Sequence, residues 1–162
     1  MGQGPSTCFV DVATDIKPFE GELTIISTDL RGNKFTYRTP NVIVFDARIT
    51  MAHLLVGDSV STYKIGFIAV GQNSTAPQRS DTALVQQVIQ QPIEPYDFPG
   101  GDNGQVEITA TLDFTSGANG STLREAGLFS ANGTRMFARQ IHGAIVKDSS
   151  IQLQYIWRII FT

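Results

Sequence analysis

The stretch Ser121-Thr-Leu-Arg-Glu-Ala-Gly-Leu-Phe129, Ser-Ala-Asn-Gly-Thr134, Arg135-Met-Phe-Ala-Arg-Gln-Ile141, Ala144-Ile-Val-Lys147 and Ile151-Gln-Leu-Gln-Tyr-Ile-Trp-Arg-Ile-Ile-Phe161 decides the fold. In its last run, Ile151, Leu153, Tyr155, Trp157, Ile159 and Phe161 fall on one face at a period of two, the pattern of a strand with a buried side. Ile156 and Ile160 stand on the other face, so the run reads as a central strand covered on both sides for part of its length. Ahead of it, Asn132-Gly133 is the dipeptide favoured by a two-residue hairpin, whose central positions both need positive φ. Leu123–Ser130 and Thr134–Ile141 therefore read as one hairpin.

Working outward, Gln105–Phe114 alternates cleanly, with Val106, Ile108, Ala110, Leu112 and Phe114 inward and the residues between them outward. Tyr63–Val70 is an apolar run of strand length. Glu22–Leu30 and Lys34–Arg38 flank the turn-rich Asp29-Leu-Arg-Gly-Asn33 and form a second hairpin. Between these elements the period changes. Val42, Phe45, Ile49, Ala52 and Val56 are spaced by three and four, the stripe of an amphipathic helix, with Thr39 or Asn41 as its cap and Gly57 as its stop. Ser80-Asp81-Thr82 suits the cap of a short helix over Ala83–Ile89, although Val85, Val88 and Ile89 also suit a strand. Gln90–Gly104, with Pro92, Pro95 and Pro99 and three glycines, reads as a long exposed loop. These elements predict a mainly β protein, an antiparallel β-sandwich with one amphipathic helix packed on it. Residues 1–20 read as an N-terminal arm, either a frayed end or a strand lent to a neighbour, and residues 21–162 as a single β-sandwich domain.

The totals narrow the function classes. A chain of 162 residues with 41% hydrophobic and 17% charged residues can bury a core of its own. A net charge of −3 offers no electrostatic case for nucleic acid or an anionic membrane as partner. The one cysteine, Cys8, excludes an internal disulfide and a cysteine-based zinc site. No apolar run approaches the ~20 residues that cross a bilayer. Met1-Gly2-Gln-Gly-Pro-Ser6 fits the loose N-myristoylation pattern, which is short enough to arise by chance.

No catalytic constellation emerges, and the expectation is a protein that is not an enzyme and carries no cofactor and no metal. His53 and His142 lie far apart in sequence, and His53 reads as a partly buried structural residue on the helix. The nearest approach to an ion site is Asp97-Phe-Pro-Gly-Gly-Asp102-Asn103-Gly104, whose spacing misses a calcium loop and reads as a turn. Arg124-Glu125 reads as a structural or inter-subunit ion pair. Arg135, Arg139 and Arg158, taken as outward strand positions, join Arg124 and Glu125 as candidate assembly contacts. Tyr96 and Phe98 of the long loop complete that set, and are also the aromatics a carbohydrate-binding module would use.

Leu123-Arg-Glu-Ala-Gly-Leu-Phe129, then Phe137-Ala-Arg139, Lys147 and the Trp157-containing final strand resemble a recurring module of tailed-bacteriophage tail proteins, worded roughly E-x-G-L-F, A-R, K, W-x-I-x-F. Upstream, the helix ending in Leu54-Leu55 with Gly57, then Ile68-Ala-Val-Gly71, Thr75-Ala-Pro77 and Asp81-Thr82-Ala-Leu84, is similar in content and order. The resemblance spans about residues 40–162. It implies a virion structural protein assembled in the host cytoplasm: a tail-fibre, tail-collar or baseplate component, or a fibre-attachment subunit. Such a protein works as a homo-oligomer, a trimer or ring, docked on other virion proteins. The chain as given stops directly after the module, without a fibre's shaft and tip, which on the resemblance favours an adaptor, connector or decorating role. A carbohydrate-binding β-sandwich and a head decoration protein are the alternatives.

Overall fold

The computed structural model describes residues 19–101 and 103–161. Their elements, in chain order, are strands β1 (Phe19–Asp29), β2 (Lys34–Pro40) and β3 (Val42–Ile43), helices α1 (Phe45–Leu55) and α2 (Val60–Tyr63), and strands β4 (Ile65–Gly71), β5 (Gln87–Pro92), β6 (Gln105–Leu112), β7 (Ser121–Ser130), β8 (Met136–Lys147) and β9 (Ile151–Phe161). The fold is mainly β: two antiparallel sheets, one ordered β2-β1-β9-β6 and the other β3-β8-β7-β4-β5. β9 is central, as its two-sided pattern predicts, pairing with β1 from Phe19↔Phe161 to Asp29↔Ile151 and with β6 on its other edge. Leu153, Tyr155, Trp157 and Ile159 point into the sandwich and are buried. They meet Ile68 and Val70 of β4, Leu123, Ala126 and Leu128 of β7, and Phe137 of β8 from the facing sheet. His142 also belongs to this interior, its ring 5.8 Å from that of Tyr155. Desolvation lowers the imidazole pKa, against the opposing pull of the Gly143 carbonyl and Glu125, and burial raises that of the Tyr155 hydroxyl.

The β1–β2 hairpin forms where expected. Asp29 Oδ1 accepts from the amides of Arg31 at 2.8 Å and Asn33 at 2.9 Å, which closes the turn around Gly32, at φ +83°. The segment expected to hold a short helix or a strand supplies β5, beginning at Gln87. The expected loop therefore starts only after Pro92. Asp97 of that loop pairs in antiparallel fashion with Glu107, against the edge of β6. Its carboxylate accepts from the Phe98 amide and a 3.1 Å Gly101–Phe98 backbone bond follows, as in a turn. No cluster of His, Cys, Asp and Glu suited to a metal ion occurs among the described residues. No helix among them is long and apolar enough to cross a membrane.

Three local expectations are corrected. The Asn132-Gly133 loop is four residues long, closed by the Ser130 amide donating to the Arg135 carbonyl at 2.9 Å. Gly133 alone takes positive φ, at +71°, because Asn132 Oδ1 is occupied as an acceptor for the Ser130 and Thr134 hydroxyls and the Thr134 amide. The break before Ala144 is a bulge within one strand, where register shifts between Leu123↔Ile145 and Glu125↔Ile141.

The third correction concerns α1. It starts at Phe45, after Val42 and Ile43 have paired with β8, and its N-cap is Val44 with no side-chain cap, so neither Thr39 nor Asn41 serves. Gly57, at φ +69°, ends it as expected. The face turned inward is Val44, Ala47, Thr50, Met51 and Leu54, whereas Phe45, Ile49, Ala52 and Val56 of the expected stripe are exposed. His53 is partly buried and structural, stacked on Tyr63 at 4.1 Å and hydrogen-bonded through Nδ1 to Asp58 at 2.7 Å. Of the expected arm, Phe19 and Glu20 belong to β1, and residues 1–18, Cys8 included, lie outside the described residues.

Candidate functional site: a buried carboxylate–guanidinium clamp

β7 alternates between two covered faces. Ala126 and Leu128 face the sandwich interior, while Glu125, Gly127 and Phe129 face the opposite way, where Phe129 packs with Val44, Ala69, Leu84 and Met136. The cover on this outer face is the segment 72–86, a strap that leaves the end of β4 and returns at β5.

Glu125 holds the strap. Its side chain is fully buried, and Oε1 accepts from the Gln86 amide at 2.8 Å and more distantly from the Asn73 amide at 3.4 Å. Oε2 accepts from the Val85 amide at 3.2 Å and from Arg139 Nε and Nη2 at 3.1 and 2.9 Å. Arg139, opposite Gly127 on β8, is 1% exposed. It also donates through Nη1 to Asp81 Oδ2 at 2.8 Å and through Nη2 to the Thr75 carbonyl at 3.0 Å. The planar guanidinium fork suits this work, since one side chain meets two carboxylates and a carbonyl in fixed directions.

Two glycines admit the strap. A Cβ on Gly71 would stand 2.5 Å from the Gln86 carbonyl oxygen and 2.5 Å from Glu125 Oε1. A Cβ on Gly127 would stand 3.0 Å from a Leu84 methyl and 2.9 Å from the Phe129 ring. Glu125 and Gly127, Arg139, Gly71, Thr75, Asp81 and Leu84 are thus parts of one contact. Members of several motifs quoted separately from the sequence converge here. Lys147 makes a smaller anchor of the same kind: buried, its Nζ donates to Asn119 Oδ1 at 2.6 Å and to the Asp148 carbonyl at 2.8 Å. Desolvation lowers its pKa while Asp113 and Asp148 pull it back up.

This geometry revises the candidate assembly residues. Glu125 is an ion-pair residue, but its partner is Arg139 and both are sealed inside the chain, so neither is an outward contact. Alternation predicts that Arg139 faces outward; the strap covers that face and buries it. Arg124 sits half-buried at the β7 bulge. Arg135 bonds Asp46 at 2.8 Å and lies over the Tyr63 ring at 5.8 Å, tying the hairpin loop to the start of α1. Arg158 pairs across the sheet with Glu107, with Nε at 2.9 Å. Tyr96 and Phe98 are exposed and lie edge to face at 5.5 Å. Comparison of the chain with family models, with curated proteins and with solved structures gave no match.

The clamp's donors and acceptors are directed at one another and at the strap's main chain. Such an arrangement does mechanical work, fixing a connection to a sheet. Sequence patterning does not reveal Asp81 and the strap amides as parts of the site, because their partners lie 39 to 58 positions away.

Proposed function

We propose that the chain is a virion structural subunit of a tailed bacteriophage. In this reading it is a tail, baseplate or collar component, a fibre adaptor or attachment subunit, acting through assembly with its own copies and with other virion proteins. The observation that carries the reading is the ordered motif series from Leu54-Leu55 to Phe161, together with its physical unity. Many residues of the hairpin and final-strand motifs, with Gly71, Asp81 and Leu84, belong to one clamp and one core, which supports reading those motifs together as a folding unit. A rigid scaffold of this kind, whose buried charges are engaged internally, is suited to presenting surfaces at fixed geometry.

The test is the mass of the purified protein by light scattering over a range of concentrations, followed by its localisation in imaged particles. A defined trimer or ring, found at a tail, collar or baseplate position, is the expected result. A monomer at all concentrations that is absent from purified particles overturns the proposal. The exposed Tyr96–Phe98 pair supports one second reading, a carbohydrate-binding module. A glycan array showing saturable binding that Tyr96→Ala abolishes would favour it.

A further inference from the structure

Lys147, the last residue of β8, is a nucleophile in an unusual place. Lys34 and Lys64 are exposed, whereas Lys147 is buried. Its Nζ has two acceptors, Asn119 Oδ1 at 2.6 Å and the Asp148 carbonyl at 2.8 Å. It makes no ion pair among the described residues. An ammonium group would bring a third N–H to this site, while a neutral amine has two N–H groups and a lone pair. Desolvation acts in the same direction: it lowers the pKa of the amine, although Asp113 and Asp148 favour the charged form. A desolvated lysine carrying a free lone pair is the form that attacks a carbonyl carbon.

The carbonyl is at hand. The Asn119 side-chain amide is held on both sides, with Nδ2 donating to the Phe114 carbonyl at 2.8 Å and Oδ1 accepting from Lys147. For an ordinary carbonyl geometry, the 2.6 Å contact to Oδ1 puts Nζ about 3.4 Å from Cγ. That is the separation of a near-attack pair, ~3–3.5 Å. The main chain keeps the two residues together: the Gly120 amide donates to the Lys147 carbonyl at 2.8 Å, and the Ser121 amide to that of Ala118, which is buried, at 3.1 Å. The first of these bonds also occupies the Gly120 nitrogen, the atom that in an Asn-Gly pair otherwise attacks the asparagine side chain.

We propose that Lys147 and Asn119 join in an isopeptide cross-link within the folded chain. The Nζ lone pair adds to Cγ, the Nζ–Cγ bond forms and the Cγ–Nδ2 bond breaks. One Nζ proton passes through water to Nδ2, which leaves as ammonia; water reaches the site because Asn119 is exposed. Nothing is oxidised or reduced, and the reactants are the two side chains alone. The product ties the turn before β7 to the end of β8. The inference stands on that turn and that strand and is independent of the assembly role proposed above.

The test is the intact mass of the protein kept folded in mildly alkaline buffer, with a tryptic digest read by tandem mass spectrometry. The expected species is lighter than its sequence by one ammonia, ~17 Da, and yields a branched peptide joining Asn119 to Lys147. Its formation should speed up as pH rises and the amine loses its proton. Lys147→Arg, which keeps the charge but cannot attack, should retain the full mass of its sequence. So should Asn119→Ala, at an exposed turn position, and far-UV circular dichroism checks that each variant is folded. An unchanged mass with two separate peptides overturns the proposal. The same loss of ammonia persisting in Lys147→Arg also overturns it, since that marks a succinimide at Asn119-Gly120.

Discussion

The two long flanks of the molecule are built on opposite terms. Under the strap, polar groups are buried and each is met: Glu125 accepts three main-chain amides and a guanidinium, and Arg139 meets two carboxylates and a carbonyl. On the outer side of α1, apolar groups are exposed, including Leu55 and Val56. The first arrangement resists loss of any member, since a stranded buried charge is far more costly than an absent one. The second tolerates change within the isolated fold, because its side chains touch little. Stability should therefore be concentrated in the clamp, and contact-making capacity on the helix.

The sharpest way to break this contrast is Glu125→Ala. It leaves Arg139 buried with half of its carboxylate partners, and should cost about 3–5 kcal/mol in urea unfolding. The double change Glu125→Leu with Arg139→Leu should cost less than the single one, because the charge then left without its partner, that of Asp81, is in part open to solvent. A single-variant loss under 1 kcal/mol would mean that the strap is not held through the carboxylate. Gly71→Ala comes next. Its Cβ would collide with the backbone of Gln86, so the strap must lift; a loss of about 1–3 kcal/mol is expected, with faster hydrogen exchange at the Val85 and Gln86 amides. Leu55→Ser, at 88% exposure, should change stability by no more than about 0.5 kcal/mol. A larger loss would show that the α1 face is already an internal contact of the folded chain.

Much of the sandwich can be read from the sequence where one face of a strand is dry, as in Gln105–Phe114, or where turn chemistry is unambiguous, as around Asp29. The central place of β9 follows from Trp157 and Ile156 pointing in opposite directions. α1 misled because it carries two apolar stripes: Val44, Ala47, Met51 and Leu54 compete with Phe45, Ile49, Ala52 and Val56, and spacing cannot rank them. Arg139 misled for a different reason. Alternation tells which residues share a face, but whether that face is wet depends on a segment more than fifty positions upstream. The Glu125–Arg139 pair lies within quoted motifs, yet its role emerges only once the strap has been placed over it.

Glu125 grips the strap by main-chain N–H groups at Asn73, Val85 and Gln86, not by what those residues carry beyond Cα. Apart from Asp81, which Arg139 holds, and Leu84, which is buried against Phe129, the strap is consequently bound by its length and path more than by its composition. Outward side chains such as that of Val85 are open to replacement by drift or by design, including foreign recognition groups, provided that no residue is added or removed between the anchoring amides. The clamp thus behaves as a fixed socket for a connection whose outer surface can be rewritten.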